Sequence, residues 1–128
     1  MNKLENLSQF TGTENYYRNK NYPFLYTDGI KYLAENGGAY WLLDAIASWQ
    51  LEKIIRCDQY LADLQFWKLK VSDDNSAVLT CERDTDDIAC EQKIPFTDFP
   101  IQEIRLYLVN MNSGGGVLML PSEYQFQL

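Results

Sequence analysis

Apolar positions recur first with helical spacing and then with a period of two, and the change falls near Leu64. Leu4 to Phe10 reads as one short helix, broken by Thr11-Gly12-Thr13-Glu14. Asn15 to Tyr26 reads as a tyrosine-rich loop containing Pro23. Thr27 or Asp28 then supplies an N-cap, because a short polar side chain can accept a free N–H of the first turn. Behind it Tyr26, Ile30, Leu33 and Ala34 share one helical face, and Gly37-Gly38 is a C-cap signal. A second helix spans about Ala39 to Gln50. Leu42, Ala45, Ile46 and Trp49 form its stripe, which Tyr40, Leu43 and Ala47 widen to most of the circumference. Asp44 and Ser48, four apart, share its one narrow polar strip. A helix this apolar belongs at the centre of a fold or in a subunit interface. Leu51 to Leu64 reads as a frayed helix end followed by a short helical turn near Asp58 to Asp63.

After that the side chains alternate. Trp67, Leu69 and Val71 are interleaved with Lys68 and Lys70. Leu79 and Cys81 form a second run, and Ile88, Cys90, Ile94 and Phe96 a third, with turn clusters at Asp73–Ser76 and Arg83–Asp87. This predicts a meander with one buried and one wet face. Ile104–Asn110 and Val117–Leu120 are apolar at nearly every position, so we place them at the sheet centre or under a helix. The expected class is α+β: N-terminal helices packed on a mostly antiparallel sheet of about five strands.

Composition narrows the picture. The 128 residues suit one domain, 1–128. Aromatic residues make up 14%, nine of them tyrosine, an excess that suits either a dense core or an interface. No stretch reaches the roughly 18 apolar residues that cross a bilayer, and the first residues lack a signal-peptide core, so a cytoplasmic protein without membrane contact is expected. Three cysteines, an odd number, then stay as thiols. A turn centred on Thr85-Asp86 sets Cys81 opposite Cys90, where a cross-strand disulfide is sterically conceivable; we take the pair as two packed thiols. The net charge is −7 with no histidine. Residues 1–64 hold six basic and eight acidic side chains, and residues 65–128 five and ten, so most of the excess lies in the strand half.

These counts remove chemistry. Without imidazole there is no Ser-His-Asp or Cys-His nucleophilic site, and the three cysteines make a poor zinc set. Neither a metal nor a cofactor is expected. Asn112-Ser113-Gly114-Gly115-Gly116 lacks the lysine and the helix of a phosphate loop. Carboxylates remain. Asp44, set in an apolar helix with Ser48 one turn on, is a candidate general base, against the reading that both mark a solvated strip. Asp28, Asp98 and Glu123 are weaker candidates; Asp28 reads as a cap and Asp98 as a turn acceptor. Tyr16, Tyr17, Arg18 and Tyr22, with Trp41, form a candidate interaction surface. Two cations in that stretch make nucleic-acid binding a poor expectation for an acidic chain.

Several segments together carry a resemblance. They are Phe10-Thr11-Gly12-Thr13-Glu14, Tyr26-Thr27-Asp28-Gly29, Ala39-Tyr40-Trp41-Leu42-Leu43-Asp44-Ala45-Ile46-Ala47, Phe66-Trp67-Lys68-Leu69, Phe96-Thr97-Asp98-Phe99-Pro100 and Leu120-Pro121-Ser122-Glu123-Tyr124. In this order the chain resembles a family of small uncharacterised bacterial proteins, a domain of unknown function. The resemblance implies a single-domain bacterial cytoplasmic protein carried on mobile elements, and it brings no activity, cofactor or catalytic residue. The expected function is a non-catalytic interaction module, self-associating or bound to a protein partner. Two alternatives stand beside it: a small carboxylate enzyme with Asp44 as base and Ser48 or Tyr40 orienting the substrate, and an acidic nucleic-acid mimic that blocks a DNA-binding protein.

Overall fold

The structure, a computed structural model, describes Leu4 and residues 6–124. A single-turn 3-10 helix at Leu7–Gln9 stands where a short helix was expected. Then come β1 (Tyr16–Arg18), β2 (Phe24–Thr27), α1 (Asp28–Asn36), α2 (Tyr40–Trp49), α3 (Lys53–Arg56) and α4 (Gln59–Asp63). The strand half holds β3 (Leu64–Val71), β4 (Ala77–Asp84), β5 (Asp87–Ile94), β6 (Glu103–Val109) and β7 (Gly116–Met119). A last short helix, α5, covers Pro121–Tyr124.

The α+β class holds, with two corrections. The sheet has seven strands in the order β1-β2-β7-β6-β3-β4-β5, and it is mixed because β2 runs parallel to β7. The additional strands come from the tyrosine-rich segment read as a loop. Pro23 and the surrounding Asn and Lys residues signal a turn locally, but Phe24-Leu25-Tyr26 finds its partner more than 90 residues away, at Gly116-Val117-Leu118. Helices are also not confined to the N-terminal part, since α5 follows the last strand. The meander β3-β4-β5 and the central placement of β6 and β7 follow the hydropathy pattern. Cys81 does lie opposite Cys90, and both are free thiols. The hydrogen bond to Cys90, reinforced by burial, holds the Cys81 thiol above the usual thiol range.

Alternation along the strands sends Trp67, Leu69, Leu79, Cys81, Leu106 and Leu118 to one face, and all are buried. The helices cover that face. From α2, Leu42, Leu43, Ile46 and Ala47 are buried, while Asp44 and Ser48 stay exposed. Full burial of each Leu or Ile contributes about 1.5–3 kcal/mol, so this helix is a principal source of cohesion. One polar device sits within the core. Gln50 and Gln65 exchange amide hydrogen bonds of 2.8 Å in both directions. Their remaining donor capacity goes to the carbonyls of Ile46 and Leu61, and Gln65 Oε1 also accepts from Trp67 Nε1 at 2.8 Å. The pair thus joins the end of α2 to α4 and β3 with every amide group used. At the rim, Asp58 caps α4 by accepting from the Tyr60 and Leu61 N–H groups and receives Arg83 Nε at 2.5 Å.

Gln65→Ala strips three partners at once, leaving the Gln50 amide and the Trp67 indole N–H buried without them. Urea unfolding is expected to show a loss of about 2–3 kcal/mol with an unchanged slope.

Candidate functional site

Two of the four candidate acids converge on the N-terminus of α1, and two do not. Glu123 is 0% exposed. Its Oε1 accepts from Thr27 Oγ1 at 2.7 Å and from the Leu120 N–H at 2.9 Å; its Oε2 accepts from the Gly29 N–H at 3.1 Å. Thr27 is the N-cap of α1, and its hydroxyl in turn accepts from the Ile30 N–H at 3.4 Å. A carboxyl group therefore sits where four N–H groups lack helical partners and where the helix dipole favours negative charge. The approach depends on Gly29. A Cβ there would lie 2.6 Å from Glu123 Oε1 and 2.7 Å from Leu120 Cδ1. Glu123 is thus an internal clamp, not a surface acid.

Asp28, the first residue of α1, turns outward and is half-buried. Its Oδ1 accepts from the Tyr17 hydroxyl at 2.7 Å, and its Oδ2 from the N–H groups of Glu14 at 3.0 Å and Asn15 at 3.3 Å. Its own N–H donates to Thr13 Oγ1 at 2.9 Å, and Thr13 donates to the Asn15 carbonyl at 2.6 Å. One aspartate thereby folds the Thr13–Tyr17 segment against the helix. The Tyr17 hydrogen bond, helped by those backbone donors, holds the Asp28 carboxyl below the usual range. The same bond, with some burial, raises the Tyr17 phenol.

A shallow open basin of about 410 Å³ lies beside this pair. Three half-buried rings line it, Phe10, Tyr17 and Tyr32, and the Phe10 and Tyr32 centroids are 5.3 Å apart. Its charged side chains are Glu14, Asp28, Lys31 and Glu35, three acids to one cation. Lys31 Nζ lies 5.1 Å from the Tyr17 ring centroid and 3.0 Å from Glu35. Thr13, Lys31, Tyr32 and Glu35 were not singled out as site residues from sequence. Lys31 and Glu35 carry a signal, since opposite charges four apart share a helical face; the basin they join is made by distant segments.

The other candidates lie elsewhere. Asp44 is exposed and accepts from the Tyr22 hydroxyl at 2.5 Å, which fits the solvated strip and not an enclosed general base. The bond fixes α2 to the segment before β2, and burial first, then this contact, raises the Tyr22 phenol. Ser48 is exposed one turn further on, and Asp98 is exposed in the loop after β5. Trp41 is half-buried against the core. Strand alternation divides the tyrosine segment: Tyr17 faces α1, while Tyr16 and Arg18 point to the opposite side and are exposed. A second groove, of about 210 Å³, runs over the outer sheet face between Phe66, Lys68, Glu82, Arg105 and Tyr107. Its cations are matched locally, Lys68 with Glu82 at 3.5 Å and Arg105 with Glu103 at 3.3 Å. No helix among the described residues is long and apolar enough to cross a membrane.

Residues 1–124 match a family of unknown function (DUF6876), and the chain belongs to that family. No curated protein and no solved structure matches it.

Two stability measurements follow from this geometry. Gly29→Ala is expected to cost about 1–3 kcal/mol in urea unfolding, because the new methyl group collides with buried atoms, whereas Gly115→Ala, which meets open space, should stay within about 0.5 kcal/mol of the parent. Asp28 has a lowered native pKa, so its contribution is present above the unfolded value of about 3.9 and is lost as pH falls through the native one. Asp28→Asn should therefore be less stable than the parent at neutral pH, and the gap should narrow as the pH is taken below about 4 in acid titrations.

Proposed function

We propose that the chain is a non-catalytic protein-interaction module that seats a cationic side chain of a protein partner in the basin beside Asp28. The observation that carries this reading is the composition of the basin: three rings next to three acids and a single, already engaged lysine. An arginine or lysine gains from both, since the face of a ring attracts a cation and nearby carboxylates attract it over a longer range. The excess of acid over base in the whole chain, −7, steers such a partner inward. Tyrosine also suits the role, because it offers wide contact with little side-chain freedom to lose.

The same groups are poorly set for proton transfer. Tyr17 is held protonated above the usual phenol range and Asp28 ionised below the usual carboxyl range, so neither exchanges a proton near neutrality. A carboxylate enzyme built on Asp44 needs an enclosed acid beside a second one, and Asp44 is exposed with a tyrosine hydroxyl on it. An acidic nucleic-acid mimic needs acids in a row. Here they are scattered over two hairpin tips, the α1 end, the helix surfaces, loops and strands β4, β5 and β6.

Amide chemical-shift titration tests the reading. A short acetylated Lys-Arg-Lys peptide should shift the Tyr17, Lys31 and Tyr32 signals, and Tyr32→Ala and Glu14→Gln should each weaken it by about two- to fivefold. Equal shifts with an acetylated Glu-Asp-Glu peptide, or shifts that avoid these residues, would contradict it.

A further inference from the structure

The seven-stranded sheet leaves two edges, β1 and β5. β1 has three residues and β5 has eight. An edge strand of that length presents a row of unused N–H and C=O groups along its outer side. The surrounding side chains are unusual for an edge that stays in water. Among the described residues, the large exposed hydrophobics are three tyrosines plus Leu51, Ile54, Ile88 and Phe96. Two of the latter four lie on β5 or just past its end, and two lie on α3 or just before it. Ile88 lies on β5 and Phe96 two residues beyond its end, 51% and 67% exposed. Ile54 belongs to α3, which packs against β5, and Leu51 lies just before it. Trp49, half-buried at the end of α2, donates its indole N–H to Gln92 Oε1 at 2.8 Å and so holds the middle of the strand.

The charges on β5 are self-complementary about that middle. Glu91 and Lys93 flank Gln92 and point to the outer sheet face, opposite Thr80 and Val78 of β4. We propose that β5 is a self-association edge, on which two copies of this chain pair antiparallel about a two-fold axis at Gln92. Glu91 of each copy then meets Lys93 of the other, giving two ion pairs from one symmetric contact. Cys90 meets Ile94 on the inner face. The register is selective. The neighbouring registers that keep both faces continuous put the axis at Glu91 or at Lys93, and either stacks like charge on like charge. The bulge near Ala89, where the pairing to β4 shifts between Cys81 and Glu82, confines the straight ladder to Cys90–Ile94. The two sheets become one of fourteen strands. This edge is separate from the basin beside Asp28, and neither reading depends on the other.

Sedimentation velocity across micromolar to submillimolar concentrations provides the test, with circular dichroism to check folding. The parent chain is expected to dimerise. Lys93→Glu should weaken the dimer by about tenfold or more, because both ion pairs become repulsions. The double variant Glu91→Lys, Lys93→Glu should restore it, since the pairs re-form with reversed sign. In a Cys57→Ser background, Gln92→Cys should give an interchain disulfide under mild oxidation, because the axis places the two positions within bridging distance. A parent chain that stays monomeric overturns the proposal. So does a double variant no better than Lys93→Glu, or a dimer that fails to cross-link through position 92.

Discussion

The arrangement rests on one buried carboxyl group. Glu123 lies near the C-terminal end of the described chain, and its partners Thr27 and Gly29 stand at the junction of β2 and α1. Buried polar groups are costly unless satisfied, and here both carboxyl oxygens accept hydrogen bonds, so the group is held in one place by its own need for donors. The same bonds join α5 to the start of α1 and seat β2 next to β7, the one parallel pairing among the described residues. Gly29 is required because the carboxyl group occupies the space of a side chain there.

The outward-facing geometry follows from that clamp. With the start of α1 fixed, the next residue, Asp28, projects to the surface and gathers the Thr13–Tyr17 segment around itself. Tyr17 then takes its place in the basin, and Phe10 is brought within ring contact of Tyr32. The basin is thus made by segments far apart in sequence, held by a short relay from a core glutamate to a surface aspartate. At the other end of the sheet, Gln50, Gln65 and Trp67 perform a similar task for the helix layer, and Trp49 extends it to Gln92 on the edge strand.

Much of this was legible in the hydropathy pattern, and the misses have a common cause. The apolar second helix, the β3-β4-β5 meander, a cap at Thr27 or Asp28 and the central β6 and β7 are written in local spacing, because burial of one face imposes a period on the residues that supply it; the buried side of α2 is Leu42, Leu43, Ile46 and Ala47, with Ala45 and Trp49 of the expected stripe only half-buried. The parallel pairing of Phe24–Tyr26 with Gly116–Leu118 is not local, and the neighbouring Pro23 argued for a loop. The polar sites were the harder part. Asp44 among apolar neighbours left two readings open, a general base or the solvated strip it shares with Ser48, and its exposure favours the strip. Glu123 had no visible side-chain partner because Thr27 and the Gly29 N–H lie more than 90 residues away, and only the Leu120 N–H is local. Its segment and that of Asp28 were both quoted in the family resemblance, and the structure brings the two together.

Amide hydrogen exchange on a Glu123→Gln variant bears most directly on the claim that this carboxyl group organises the surface site. Loss of the clamp should lower protection at Gly29, and with it at Glu14 and Asn15, whose N–H groups depend on Asp28 being held in position. Protection at Glu14 and Asn15 that is unchanged from the parent, with Gly29 exposed, would show that the basin stands without Glu123 and contradict the account.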